Sequence, residues 1–103
     1  MIDYKEISSL QLNDLILKKK KFLLLDVRTE EEYSAGHIPN SINIPLHDLD
    51  SQIDHLAPYK DEKVIIYCRS GKRSLAAALL LQESGFKYLY NLTQGIIGHL
   101  DYL

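Results

Sequence analysis

KVIIYCRSGKRSLAAALLLQESG, residues 63 to 85, passes from an apolar run through a short polar loop into a long stretch of helix formers. In the first part apolar side chains follow one another without alternation, the pattern of a strand covered on both faces. From Lys72 onward Leu and Ala dominate, and Gly85 supplies the helix stop. A buried strand feeding straight into a helix is one half of a crossover unit, so this stretch predicts a parallel sheet.

The same alternation extends on both sides. An extended start near Tyr4 to Ile7 leads into a helix carrying Leu10, Leu12, Leu15 and Ile16, with Ser8 and Gln11 placed for a capping box. Phe22 to Val27 is a second continuous apolar strand. Thr29 caps a short acidic helix that Gly36 ends, SINIPL gives a brief strand, and Pro45 can start a helix with Leu49, Ile53 and Leu56 on one face. YLYNL is the final strand, and QGIIGHLDYL is expected to pack as a last helix. The fold class expected is therefore α/β: a mostly parallel twisted sheet with helices on both faces, in one domain over residues 1–103.

Composition narrows the setting. The chain has 103 residues, 46% of them hydrophobic and 25% charged, the balance of a single globular domain. A net charge of -2 and a pI near 6.0 give no nucleic-acid or anionic-membrane footprint, so any anion site must be local. The first twenty residues hold no apolar run of signal-peptide or spanning length, which leads to an expectation of a soluble, cytoplasmic protein with no membrane partner. A single cysteine excludes an internal disulfide, a cysteine-based zinc site and a resolving thiol in the same chain. His47, His55 and His99 share no metal-ligand spacing, so neither a metal nor a cofactor is assigned.

Chemistry is expected at the end of the strand that closes on Tyr67 and Cys68, because ligands of open parallel sheets sit beyond the strands' carboxyl ends. There Cys68 is followed by Arg69, Ser70, Gly71, Lys72 and Arg73. Backbone N–H groups of such a loop converge on one point, backed by the positive end of the following helix. Gly71 removes a side chain from the turn and permits positive φ. The loop is built to hold an anion, and the Cys68 sulfur is the first candidate. An inert core cysteine is the plain alternative, but three cations and a helix N-terminus make the surroundings that lower a thiol pKa.

Spacing separates the possible anions. A nucleotide phosphate loop needs glycine where Ile66 stands and Ser or Thr where Arg73 stands. A phosphate-cleaving cysteine loop needs arginine at Ser74, and Arg73 comes one residue early. The shorter ring of N–H groups suits a cysteine carrying one extra sulfur better than a tetrahedral phosphate.

LLDVRTEEEYSAGHIPNSINIP (residues 24–45) and IIYCRSGKRSLAAALLLQESGF (residues 65–86) together resemble the two signatures of the rhodanese family in its single-domain form. The resemblance covers nearly the whole chain. It departs from the family where Gln94, Gly95 and His99 stand in place of a Gly-Gly pair and a Trp, and where Asn40 and Ser41 replace a commoner Gly-Ala. The family implies a sulfurtransferase: Cys68 takes the outer sulfur of a donor such as thiosulfate and passes it to a thiol, cyanide or protein-thiol acceptor. Arg69, Ser70, Gly71, Lys72 and Arg73 form the substrate loop, with the cations adding positive potential at its mouth. Asp26 and Arg28 are read as an ion pair or loop tether behind it, and His37 as a structural hydrogen-bonding residue. A sulfur-carrier module that hands its persulfide to a partner protein is the alternative, and a cysteine-dependent phosphatase or arsenate reductase the more distant one.

Overall fold

The computed structural model describes residues 3–103. Five strands, β1 (Lys5–Ile7), β2 (Leu23–Asp26), β3 (Ile42–Asn43), β4 (Lys63–Tyr67) and β5 (Tyr88–Leu92), form one sheet in the order β1-β5-β4-β2-β3. Every pairing is parallel. Four α-helices, α1 (Ser9–Leu17), α2 (Glu30–Ala35), α3 (Leu46–Leu56) and α4 (Lys72–Glu83), make the crossovers, with 3-10 turns at Ala57–Tyr59 and Ile97–Tyr102.

Alternation along the strands divides the core in two, because successive side chains point to opposite faces. Leu23, Leu25, Val64, Ile66 and Leu89 pack with Leu49 and Leu56 of α3 and Ala77, Ala78 and Leu81 of α4. Leu24, Ile65, Tyr67, Ile7 and Leu92 pack on the other face with Leu12 of α1, Ile38 and Ile96. Both faces being apolar explains why β2 and β4 read as unbroken hydrophobic runs. The helix signals act as expected: the Ser8–Gln11 capping box forms and Thr29 caps its helix, where Glu32 completes a second capping box.

Two expectations change. The last segment is 3-10 rather than α-helical: Gly98 donates to Gln94 but His99 donates to Ile96 and Leu103 to Leu100, so the tail turns tightly over the sheet end. SINIPL contributes only Ile42 and Asn43 as strand, because Pro45 has no N–H for the ladder and the chain turns into α3. Asn40, in the turn before β3, takes φ +69°, a left-handed conformation that asparagine tolerates.

The topology fixes the site. From β4 the chain crosses to β5 on one side, and from β2 it crosses to β3 on the other. The carboxyl ends of β4 and β2 therefore flank the point where the connections diverge, the usual ligand crevice of an open α/β sheet.

Candidate active site

Cys68 follows directly on β4, and its sulfur lies under the loop that leads into α4. Gly71 has φ +101°, and a Cβ there would stand 2.7 Å from the Thr93 carbonyl oxygen, so both conformation and space demand glycine. The Gly71 N–H donates to Cys68 Sγ at 3.1 Å. Ser74 Oγ lies 3.5 Å from the same sulfur. Gly71 caps α4 without a side chain, which leaves the first-turn amides of that helix for the sulfur.

The sequence leads to a thiol at a partly open loop. The structure buries it: Cys68 is 1% exposed, on the floor of the loop and part of the α3–α4 core. Burial pushes the thiol pKa up, but hydrogen bonding with the Ser74 hydroxyl and with the amides of Ser74, Ser70 and Gly71 outweighs it, and the net direction is down. Directed hydrogen bonds therefore do much of what the residue types alone suggest for loose positive charge.

Arg73 departs from its expected place at the mouth. Its Nη1 and Nη2 donate to Glu32 Oε1 and Oε2 at 2.7 and 3.0 Å, a bidentate pair from the start of α4 to α2. Chiefly through the Arg73 hydrogen bond, and against partial burial, the Glu32 carboxyl is lowered to about 2. The positive charge of Arg73 is thus matched inside the protein. Arg69, Ser70 and Lys72 are exposed around the loop.

Asp26 and Arg28 lie at the end of β2 as a closed unit. Asp26 is 0% and Arg28 5% exposed. Arg28 Nη2 donates to Asp26 Oδ2 at 2.7 Å, and Nε reaches both carboxylate oxygens at 3.1 Å. The Arg28 amide also donates to Asp26 Oδ1, and Nη2 donates to the Gly36 carbonyl at 2.7 Å, tying α2's end to the strand. The guanidinium stands 5.6 Å from the centre of the Tyr67 ring. His37 contacts the Tyr33 carbonyl through Nδ1 at 2.9 Å and stacks on the Tyr33 ring. Ser41 donates to the Ile38 carbonyl at 2.7 Å and meets the Tyr67 hydroxyl at 3.1 Å.

Several residues around the loop escape a reading of the sequence. Ile96 donates to the Cys68 carbonyl and Ile97 to that of Arg69, so the tail braces the loop from behind. Gly95, at φ +61°, presses against the carbonyls of Cys68 and Arg69 so closely that no Cβ fits. Behind Ser74 lies Asn91 of β5, to whose Oδ1 the Ser74 hydroxyl donates, and behind Asn91 lies Glu6 of β1. A polar residue within the apolar strand YLYNL is the one signal that could have found this chain of contacts.

Comparison with known proteins agrees with this geometry. Residues 9–98 match the Rhodanese-like domain family. A sulfurtransferase of Allochromatium vinosum is 37% identical over 92 residues, covering 89% of this chain and 84% of that protein. The human single-domain sulfurtransferase TSTD1 superposes with a TM-score of 0.84 at 26% identity, covering 98% of this chain and 99% of that one. A tRNA uridine(34) hydroxylase of Wigglesworthia glossinidia brevipalpis is 36% identical over 92 residues, which span 85% of this chain but 29% of that longer protein.

Proposed function

The chain belongs to the rhodanese-like domain family of sulfurtransferases, and from that premise we propose that it moves sulfane sulfur through a Cys68 persulfide, with thiosulfate as a competent donor and cyanide or a thiol as acceptor. The observation that carries this reading is the Cys68 sulfur held under its loop, 3.1 Å from the Gly71 N–H, while Arg73, the arginine next to phosphate-cleaving spacing, is committed to Glu32. A loop for phosphate transfer would leave that arginine to grip phosphate oxygens.

The Cys68 thiolate attacks the outer sulfur of thiosulfate. A new S–S bond forms, the S–S bond of thiosulfate breaks, and sulfite leaves with its electron pair, giving Cys68–S–S⁻. Loop N–H groups then face the negative outer sulfur. An acceptor such as cyanide attacks that outer sulfur, leaves as thiocyanate, and returns Cys68 as thiolate. Burial of Cys68 directs this second step. The outer sulfur stands one S–S bond, about 2 Å, beyond a sulfur that an incoming nucleophile reaches poorly. Attack there transfers sulfur, whereas attack on the inner sulfur would trap a mixed disulfide.

Handing the persulfide to a protein thiol is the second reading, favoured by the presence of a similar stretch inside longer proteins such as the hydroxylase relative. The test is intact-protein mass spectrometry after thiosulfate, together with thiosulfate:cyanide turnover. The wild-type chain gains one sulfur atom, about 32 Da, and Cys68→Ser neither gains it nor turns over while keeping its circular dichroism. Sulfur uptake by wild type with negligible cyanide turnover would favour the carrier; a folded Cys68→Ser that still transfers sulfur would rule out the mechanism.

A further inference from the structure

We infer that Glu6, on the outer strand β1, is a positioning residue for Cys68: through Asn91 and Ser74 it holds the Ser74 hydroxyl proton away from the sulfur. This deepens the reading above and rests on it for the role of Cys68 as nucleophile.

The argument follows the hydrogens. Glu6 and Asn91 are register partners in the β1–β5 pair, and Asn91 is 3% exposed. Asn91 Nδ2 lies 3.2 and 3.3 Å from Glu6 Oε1 and Oε2. An ionised carboxylate only accepts, so the amide must turn its NH2 toward Glu6 and its carbonyl oxygen the other way. That oxygen meets Ser74 Oγ, and Ser74 is 0% exposed. A hydroxyl has one proton, and here Asn91 Oδ1 takes it. What Ser74 then offers to Cys68 Sγ, 3.5 Å away, is a lone pair, which suits a thiol that donates its own S–H.

A thiolate needs the opposite. For Ser74 to donate to the sulfur it must release Asn91 Oδ1, and that buried oxygen then loses its donor. The cost persists because Glu6 prevents the amide from rotating; rotation would set Oδ1 against a carboxylate. Gln at position 6 removes the constraint. Its amide satisfies Asn91 in either orientation, so Asn91 can turn its NH2 toward Ser74 Oγ and leave the hydroxyl proton for the sulfur. Glu6 thus opposes the loop amides: they favour the thiolate, and the chain from β1 limits the donation by which the Ser74 hydroxyl would also favour it.

Arg69, Lys72 and Arg73 are the charged residues of the loop around Cys68. Arg73, paired with Glu32 of α2, interacts with Cys68, and the Asp26–Arg28 pair of β2 lies beyond it. The Tyr4 hydroxyl hydrogen-bonds to Glu6.

The pH dependence of Cys68 alkylation by iodoacetamide, followed by intact mass, tests the inference in four proteins: wild type, Glu6→Gln, Ser74→Ala and the double variant. Glu6 is exposed and Gln has its shape, so the fold is retained. The expected result is that Glu6→Gln lowers the alkylation midpoint by about one pH unit, the scale of one hydrogen bond gained by a charged sulfur. In the Ser74→Ala background the same change has no effect. An unmoved midpoint in Glu6→Gln overturns the inference, and so does an equal shift in both backgrounds, which would mean direct repulsion between carboxylate and thiolate. Alkylation requires no sulfur transfer, so its outcome is independent of whether thiosulfate proves to be a donor.

Discussion

The carboxyl ends of β2 and β4 lie side by side, Asp26 in register with Tyr67, and each opens into a loop that leads to a helix. At the β2 end a carboxylate and a guanidinium satisfy one another and the Gly36 carbonyl, with Asp26 0% exposed. At the β4 end the Gly71 N–H donates to a single sulfur, and the Ser74 hydroxyl oxygen lies 3.5 Å from the same atom. One loop spends its polar groups on itself; the other points them at an atom that can exchange its partner. The difference teaches that charge near a site is a poor guide to chemistry. The buried ion pair at this crevice is closed on itself, whereas the Gly71 N–H is aimed at the Cys68 sulfur.

If that contrast is right, damage to the two ends should separate stability from activity. The largest effect is expected for Arg28→Ala, which strands the buried Asp26 carboxylate and frees the Gly36 carbonyl. Breaking a buried pair by removing one partner costs about 3–5 kcal/mol. Urea unfolding should fall by that order, while sulfur-transfer activity per folded molecule stays within a few-fold of wild type. A stable Arg28→Ala protein without activity would reverse the assignment and make the β2 end part of the chemistry.

A smaller effect concerns the brace behind the β4 loop. His99 is 1% exposed, and its Nδ1 has no partner among the described residues. Desolvation lowers its pKa below the ordinary 6.5. As pH falls below 6.5 the unfolded chain takes up a proton that folded His99 refuses, so the stability present above 6.5 is lost toward the folded value. His99→Phe removes both the orphan nitrogen and the proton uptake. It should stabilise by about 1 kcal/mol at pH 8 and by more at pH 5.5, read as the difference in urea midpoint. A gap that stays constant between the two pH values would show that His99 does not titrate as argued.

Much of this architecture is legible in the sequence because the dominant signals are local. Val64 to Tyr67 and Leu23 to Leu25 read as buried strands since both faces are covered, and Ser8 and Thr29 announce their helices through caps only three residues long. The loop from Cys68 to Arg73 is legible for the same reason: its meaning lies in spacing. What stays hidden are pairings across the fold. Asn91 meets Glu6 across 85 residues, and Arg73 meets Glu32 across 41. Glu32 is fully accounted for by its capping box, so nothing in the sequence asks for a second partner. Gly95 reads as an ordinary turn glycine until the carbonyls of Cys68 and Arg69 are seen against it.

The smallest effect, and the sharpest test of the contrast, is at the contact that joins the two ends. Glu32 accepts from the Thr29 amide at 3.1 Å and from Arg73, so it belongs to the β2–α2 cap and to the β4–α4 loop at once. Glu32→Gln keeps an oxygen for the cap and for one Arg73 hydrogen bond, and removes the charge together with the second acceptor. Both side chains are about one-third exposed, so the pair is worth less than about 1 kcal/mol. Because the folded Glu32 pKa is lowered to about 2, its contribution is fully present above the ordinary 4.5 and vanishes as pH falls toward 2. Thermal midpoints of the two proteins should therefore differ slightly at pH 7 and converge near pH 2. Activity should respond in the opposite sense. With its countercharge gone, Arg73 adds positive potential at the loop, and the KM for thiosulfate should fall by about two- to threefold with little change in kcat. An unchanged KM in a folded Glu32→Gln protein would mean that Arg73 holds α2 to α4 and contributes nothing to donor binding, leaving the exposed Arg69 and Lys72 as the loop's charges toward the donor.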